Sequence, residues 1–337
     1  MKKPLHVTVL MDWAAIPDED PDFRTPPKGS TTEYDVVAAL RKLKHDVSVV
    51  AAHQDPAQLL SDLGDRKPDL VFNLTESFRD NRDYDKNITA LLEMTGIPFT
   101  GTGTVGLMLC RDKGLSKQLL AHHRVRIPGF LILPSGKRVH VPARLQYPMV
   151  VKPMLADGSE GIANSSLVED EESLRERVQF VHDRWSQPAI VEEYIGGREL
   201  YVGILGNSRL QVLPPRELFF RSDSDDGPVL ATYRLKWDEA YRKKWEVTFG
   251  FAQLEDVVSK RVARICRKVY HVLQLRDYGR IDLRLTPDDR IVVLEVNPNP
   301  DIAKDDEVAQ SARKNGITYT ALVDRIVRMT MRRSEAG

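Results

Sequence analysis

The segment 278–300 constrains this chain more than any other. It reads Tyr-Gly-Arg-Ile-Asp-Leu-Arg-Leu, then the polar turn Thr-Pro-Asp-Asp-Arg, then Ile-Val-Val-Leu-Glu-Val-Asn-Pro-Asn-Pro. Both arms alternate and are rich in β-branched residues, and a five-residue polar turn between such arms specifies a hairpin. With Leu285 set opposite Val292, Asp282 falls opposite Glu295, and Asn297 follows two residues on along the same face. Arg280, Asp282, Glu295 and Asn297 then share one surface, while Ile281, Leu283, Leu294 and Val296 face a core. Two carboxylates and an amide oxygen on a rigid pair of strands form a hard, all-oxygen donor set. Mg²⁺ prefers such ligands and completes its octahedron with water and nucleotide phosphates. An amphipathic hairpin with a solvated charged face has the same pattern. The Asn-Pro-Asn-Pro ending favours the site, because two prolines stop the strand and fix the backbone just beyond Asn297.

The rest of the chain supplies a setting for that hairpin. From Leu5 to Cys110 strands alternate with helices: Leu5–Met11, Asp46–Ala52 and Asp69–Leu74 read as short apolar strands, Thr32–Leu43 and Asp83–Thr95 as amphipathic helices. That order predicts βαβ units and a parallel sheet. A Pro/Asp-rich loop occupies 12–30. Further strands are expected at 131–132, 147–152, 189–195, 198–205, 210–213 and 231–237, the later ones joined by short turns and therefore antiparallel. Helices are expected at about 170–185, 254–273, 303–314 and 318–331, and the acidic run 221–228 is a loop. At 337 residues there is room for two or three domains. The division expected is 1–110, 111–189 and 190–337.

Charge and hydropathy narrow the function classes. The formal net charge is zero, which gives no support to a nucleic-acid or membrane role, since either needs a one-signed patch. No apolar run approaches a membrane span. The apolar stretch after Lys3 is short, broken by His6 and Thr8, and lacks a small-residue cleavage site, so it reads as a first buried strand rather than a leader. Cys110 and Cys266 lie in apolar helical contexts and read as reduced core thiols. These features together place the protein in the cytoplasm.

Two glycine-rich runs need separating. Gly101-Thr-Gly-Thr-Val-Gly106 matches the dinucleotide pattern but does not open the first βα unit, and no acid follows about 20 residues on to hold a ribose. The stretch Lys152 to Gly161 is more informative. Lys152 ends an apolar strand, and an unpaired buried ammonium is costly, so it must meet an anion. The glycines at 158 and 161 let backbone N–H groups approach phosphate oxygens, and Ser159 adds a hydroxyl. A plain turn with a snorkelling lysine is the alternative. Further on, Val191-Glu-Glu-Tyr-Ile195 precedes Gly196-Gly-Arg-Glu199, a strand-to-turn segment able to offer backbone groups to an adenine edge and a carboxylate to ribose hydroxyls. There is no Walker A lysine motif, no nucleophile elbow and no zinc-spaced histidine pair.

Taken in order, the blocks 147–161 (YPMVVKPMLADGSEG), 191–203 (VEEYIGGRELYVG) and 279–300 (GRIDLRL…VLEVNPNP) resemble the ATP-grasp superfamily, in particular D-alanine–D-alanine ligases, over nearly the whole chain. The resemblance implies an α/β (α+β) protein of three domains: an N-terminal parallel α/β domain, then two α+β domains enclosing ATP. It implies that Lys113 and Lys152 bind ATP phosphates, with Gly158, Ser159 and Gly161 in the loop that closes over them. Glu192 and the Ile195 backbone would hold adenine, and Glu199 the ribose. Asp282, Glu295 and Asn297 would hold Mg²⁺, two ions, with Mn²⁺ as a substitute. Arg280 would stabilise an acyl phosphate and the later oxyanion, Lys236 would approach the γ-phosphate, and Glu33 would bind the ammonium of the first amino acid.

Two departures from the family pattern bear on substrate. The His-Gly…Gly-Glu-Asp-Gly segment of those ligases is replaced here by Asn73 to Phe78 and the run Arg79 to Lys86, which implies a different donor pocket. After Asn-Pro-Asn-Pro the family has a glycine, then a serine and an apolar residue that clamp the acceptor's carboxylate; this chain has Asp301 and Asp305-Asp306-Glu307. An acid about 4 Å from a carboxylate costs on the order of 4 kcal/mol at intermediate dielectric. Asp301, Asp306 and Glu307 therefore point to an acceptor amine without that carboxylate, or they simply favour a helix N-terminus. The function expected is ADP-forming ligation of an amino-acid carboxylate to an amine. True D-alanine–D-alanine ligation and a non-catalytic ATP-binding protein are the alternatives. Small amino acids or amines are the partners expected, without nucleic acid or membrane, and a homodimer stays open.

Overall fold

The computed structural model describes residues 3–52, 55–156, 161–219 and 247–336, with positions 240 and 243 besides. The expected strand at 231–237, the loop 221–230, Gly158, Ser159 and Lys236 lie outside the described residues. Among the described residues the strands form three sheets.

The first is parallel. β1 (His6–Asp12) lies between β2 (Asp46–Ala52) and β3 (Leu70–Asn73). Helix α1 (Thr32–Lys42) links β1 to β2, and α2 (Pro56–Arg66) links β2 to β3. Successive side chains of a strand point to opposite faces, and β1 shows it. Val7, Val9 and Met11 enter one core with Val36, Val37 and Leu40 of α1, while Leu10 enters another with Leu59 and Leu63 of α2. Helix α2 was not expected from the sequence, although its start is well marked: Pro56 occupies its first turn and the Asp55 side chain accepts from the Ala57 N–H at 2.9 Å. α3 (Asp85–Thr95) packs on the α2 side of the sheet through Ile88 and Leu92, and α4 (Thr104–Arg111) follows it.

The second sheet is antiparallel, in the order β4 (Phe130–Leu133), β7 (Ala189–Glu193), β5 (Met149–Pro153), β6 (Leu167–Val168). Helix α6 (Glu171–Trp185) covers it through Leu174, Val178 and Val181. The third sheet runs β11 (Thr248–Phe251), β10 (Arg216–Phe219), β8 (Arg198–Leu205), β12 (Tyr278–Leu285), β13 (Ile291–Asn297), with β9 (Gln211–Val212) on β8. β10 and β11 were not expected; each is only four residues long and falls in a stretch without sustained alternation. Helix α7 (Asp256–Val272) packs Val262, Cys266 and Val269 against Val202, Ile204, Ile281 and Leu283 of this sheet.

Two long-range packings position the site. α5 (Lys113–His122) contributes Leu120 to the core of the third sheet, so its basic first turn sits beside the hairpin. The last helices, α8 (Glu307–Lys314) and α9 (Tyr319–Ala336), return to the first sheet: Val308, Ala312, Leu322, Val323 and Ile326 share a core with Val7, Val9 and α1. Cys110 and Cys266 are both buried. No helix among the described residues is long and apolar enough to cross a membrane.

Candidate active site

The β12–β13 hairpin brings Asp282 opposite Glu295, and Arg280 opposite Asn297. The expected register at the turn is off by one, since Leu285 opposes Ile291 rather than Val292. A bulge reconciles the two: Leu283 pairs with Val293 and Asp282 with Glu295, leaving Leu294 as an extra residue on β13. Leu294, expected in the core, is correspondingly only half-buried.

Asp282 is buried, and the Arg280 guanidinium grips it with two hydrogen bonds, Nε to Oδ1 at 2.8 Å and an Nη to Oδ2 at 3.0 Å. The Asn297 amide donates to the same carboxylate at 3.1 Å. Arg280 also reaches Glu307 at 3.3 Å. Burial would lower the Arg280 pKa, but Asp282 and Glu307 outweigh it and hold the guanidinium charged. Glu295 pairs with the Lys113 ammonium at 2.9 Å. Lys113 opens α5, where Asp112 caps the helix by accepting from the Leu115 N–H at 2.8 Å, and it also donates to the Ala156 carbonyl.

A second group of charges lies alongside. Lys152, on β5, donates to Glu192 Oε2 of β7 at 3.0 Å, so the strand lysine has found its anion within the protein. Glu192 is buried, and its other oxygen lies 3.2 Å from the Lys117 ammonium. Burial raises the pKa of this carboxyl, but the two lysines prevail and hold it below its ordinary value. Lys117 was missed in the sequence; its signal is the i, i+4 spacing from Lys113, which puts both ammoniums on one helix face. Glu199 is also buried, accepting from Tyr201 Oη at 2.8 Å and from Arg284 at 2.5 Å. Ile195 lies half-buried in the link between β7 and β8, and Gly161 turns with a φ of +72° against the Pro153 ring.

On the far side of Arg280 opens a cleft of about 650 Å³ whose walls include Tyr201, Arg216, Arg280, Asn297, Asp301 and Asp306. Glu76 and Arg82, from the segment that departs from the family pattern, line it as well and pair at 3.0 Å. The carboxylate of Asp12, at the end of β1, ties that segment down by accepting from the N–H groups of Glu76 and Ser77 at 3.0 and 3.2 Å. The cleft is acidic. Burial, then Asp301 and Glu307, push the Asp306 carboxyl up to about 7. Glu33, in the first turn of α1, is raised by burial and by Asp301. Asp306 and Glu307 do mark a helix start, but the Asp306 side chain makes no capping bond and lines the cleft.

The run Gly101 to Gly106 docks the hairpin's tail. The Thr102 N–H donates to Asn299 Oδ1 at 2.8 Å, and the Gly101 N–H donates to the buried Asp277 at 2.9 Å. A Cβ at Gly101, where φ is +87°, would meet Asn299 Oδ1 at 2.6 Å. Close approach, rather than a phosphate cradle, is what these glycines supply here.

Among the described residues no three or more His, Cys, Asp or Glu are arranged to hold a metal ion. The hairpin offers two carboxylates and an amide, a donor set suited to a hard ion whose remaining positions are filled by water and phosphate. Both carboxylates are balanced by cations, Arg280 and Lys113, so an entering ion must exchange places with those ammonium and guanidinium contacts.

A family model described as D-ala D-ala ligase C-terminus matches residues 130–328. An uncharacterized protein of Sinorhizobium fredii is 31% identical over 88% of this chain and 87% of its own length. The D-alanine–D-alanine ligase of Desulforudis audaxviator is 28% identical over 88% of this chain and 92% of its own. A crystal structure of the Bacillus anthracis D-alanine–D-alanine ligase complexed with ATP superposes with a TM-score of 0.76, covering 98% of this chain and 99% of that one at 21% identity, a likeness of fold.

Proposed function

Because the chain belongs to the D-alanine–D-alanine ligase family, whose reaction class is ATP-dependent joining of a carboxylate to an amine, we propose that it joins an amino-acid carboxylate to an amine that lacks a carboxylate of its own in the acceptor position. The division 1–110, 111–189 and 190–337 then sets the nucleotide between the second and third domains. The observation that carries the assignment is the in-register pair Asp282 and Glu295, with Asn297 beside it and Lys113 reaching over from α5.

A carboxylate resists attack by an amine until one oxygen is made a leaving group. Transfer of a phosphoryl group from ATP does this, and the amine then displaces phosphate. The obstacle is charge repulsion between carboxylate and triphosphate. Asp282, Glu295 and Asn297 would hold Mg²⁺ or Mn²⁺, which supplies positive charge between the phosphate oxygens. Lys113 and Lys152 would meet the phosphates, a role the resemblance also gives to Lys236, Gly158, Ser159 and Gly161; Glu192 and Ile195 would serve adenine and Glu199 the ribose. Arg280, at the boundary between hairpin and cleft, faces the developing acyl oxygen. The acid-lined cleft receives the substrates, with Glu33 taking the donor's ammonium and Asp301, Asp306 and Glu307 repelling an acceptor carboxylate. D-Alanine–D-alanine ligation, the activity named for several relatives, demands the opposite of that last property.

A screen of phosphate release from ATP with amino acids and amines, singly and in pairs, with mass spectrometry of the products, separates the two. Amide formation with a carboxylate-free amine, and none with two D-alanines, is the expected result; D-alanyl-D-alanine as the main product would sink the acceptor assignment. Asp282→Asn is expected to cut turnover at least about a hundredfold while the variant still melts in a single cooperative transition, at a lower temperature. Undiminished turnover would remove the metal from the hairpin.

A further inference from the structure

Nothing in the proposed chemistry uses Lys117, yet its ammonium is among the most deeply placed charges in the protein, with 2% of the residue exposed. It occupies the seam between the second and third sheets. On one side it lies 3.2 Å from Glu192 of β7; on the other it donates to the Leu294 carbonyl of β13 at 2.9 Å. Leu294 is the extra residue of the bulge. Residues on a strand alternate faces, so a one-residue change of register moves every side chain beyond it to the opposite face. Were the pairing of Leu283 with Val293 continued without the bulge, Asp282 would oppose Leu294, and Glu295 would oppose Ile281, which is wholly buried in the core of the sheet. The bulge is therefore what sets Glu295 beside Asp282, and the carbonyl of its extra residue accepts from a charged donor.

We propose that Lys117 is a positioning residue for the metal–nucleotide site: by holding the Leu294 bulge and Glu192 together it keeps Glu295 opposite Asp282 and aligns the phosphate-facing second sheet with the hairpin. It rests on the assignment of Asp282, Glu295 and Asn297 to the metal. Lys113, one turn earlier on the same helix, touches Glu295 itself; Lys117 acts through the backbone next to it. Burial lowers the Lys117 pKa, and Glu192 opposes that shift.

The test measures Mn²⁺ bound by the full chain in the presence of ADP, by electron paramagnetic resonance, together with ADP affinity in the absence of metal. Wild-type protein should bind Mn²⁺, and Asp282→Asn should weaken it; if either fails, the metal assignment is wrong and not merely the role of Lys117. With those two in hand, Lys117→Met is expected to melt cooperatively, to bind Mn²⁺ at least about tenfold more weakly, and to bind metal-free ADP within about threefold of wild type. Its kcat should fall far more than its KM for the carboxylate substrate rises. Should the methionine variant fail to fold, Lys117→Gln, which keeps a polar end in the buried seam, is measured in the same way with the same expectation. A folded variant with wild-type Mn²⁺ affinity overturns the proposal. So does an equal loss with and without metal, which would make Lys117 a direct nucleotide contact. Failure of both variants to fold would make it a structural cross-link only.

Discussion

At the scale of single residues the site is an arrangement of charges that answer one another. Glu192 sits between Lys117 and Lys152, Glu295 against Lys113, and Asp282 against Arg280. Removing one partner of such a buried pair costs about 3–5 kcal/mol, because the other charge is stranded away from water. Asp306 is different: burial, then the neighbouring acids Asp301 and Glu307, disfavour its charge, and Arg280 opposes them. Its carboxyl is raised from 3.8 to about 7, so the folded protein holds this proton more tightly than the unfolded chain does. The stability this gives is complete below about pH 3.8 and is lost as pH rises through 7. Asp306→Asn should therefore gain melting temperature relative to wild type between pH 5 and pH 8, and a constant difference across that range would contradict the shift. With a cationic acceptor, wild-type KM should fall as pH rises through about 7, and the variant should lose that dependence. Residue types and spacing alone supplied Asp282, Glu295, Asn297 and Lys152. They did not supply Lys117, because a lone lysine on a helix gives no sign of the strand backbone it will meet 177 positions away.

At the scale of elements, alternation marked the hairpin and β8, while the turn register escaped it by one residue. The bulge is invisible to periodicity: it depends on what packs on both faces of β13, and the donor that meets its carbonyl comes from helix α5. The acidic run after Pro300 shows a related limit. Sequence offered a helix start and an acceptor lacking a carboxylate as rival readings of these acids; in the fold α8 does begin there, and Asp301, Asp306 and Glu307 also line the cleft. The glycine run 101–106 took a phosphate-binding pattern and uses it to seat the tail that follows Asn297. Gly101→Ala should lower stability by about 1–2 kcal/mol, from left-handed backbone strain and displacement of Asn299. Denaturant titration reads this directly, and an unmoved midpoint would mean that the tail is held by other contacts.

At the scale of the molecule, the three sheets of the described residues meet at two seams, and both hold residues of the proposed site. One lies between the second and third sheets at Lys113 and Lys117; the other lies where Asp12, Glu33 and Glu76 of the first region approach Asp301. The parallel order of the first sheet was legible from three buried apolar runs separated by helical stretches. What covers one of its faces was not, since Leu322, Val323 and Ile326 lie some 300 residues from the strand they shield. Leu322→Ala is expected to cost about 2–5 kcal/mol. It should loosen the first sheet before the others, seen as early amide exchange in β1 and β3; uniform loosening would show a single cooperative unit. The return of α9 has a consequence for synthesis. A ribosome delivers this chain from its amino end, so the earliest strands wait with Val7, Val9 and Met11 shielded by α1 alone until the closing helix emerges. Nascent chains stopped before Leu322 should thus stay protease-sensitive in their first hundred residues, and production of the protein should depend on whatever shelters that half-covered face in the interval.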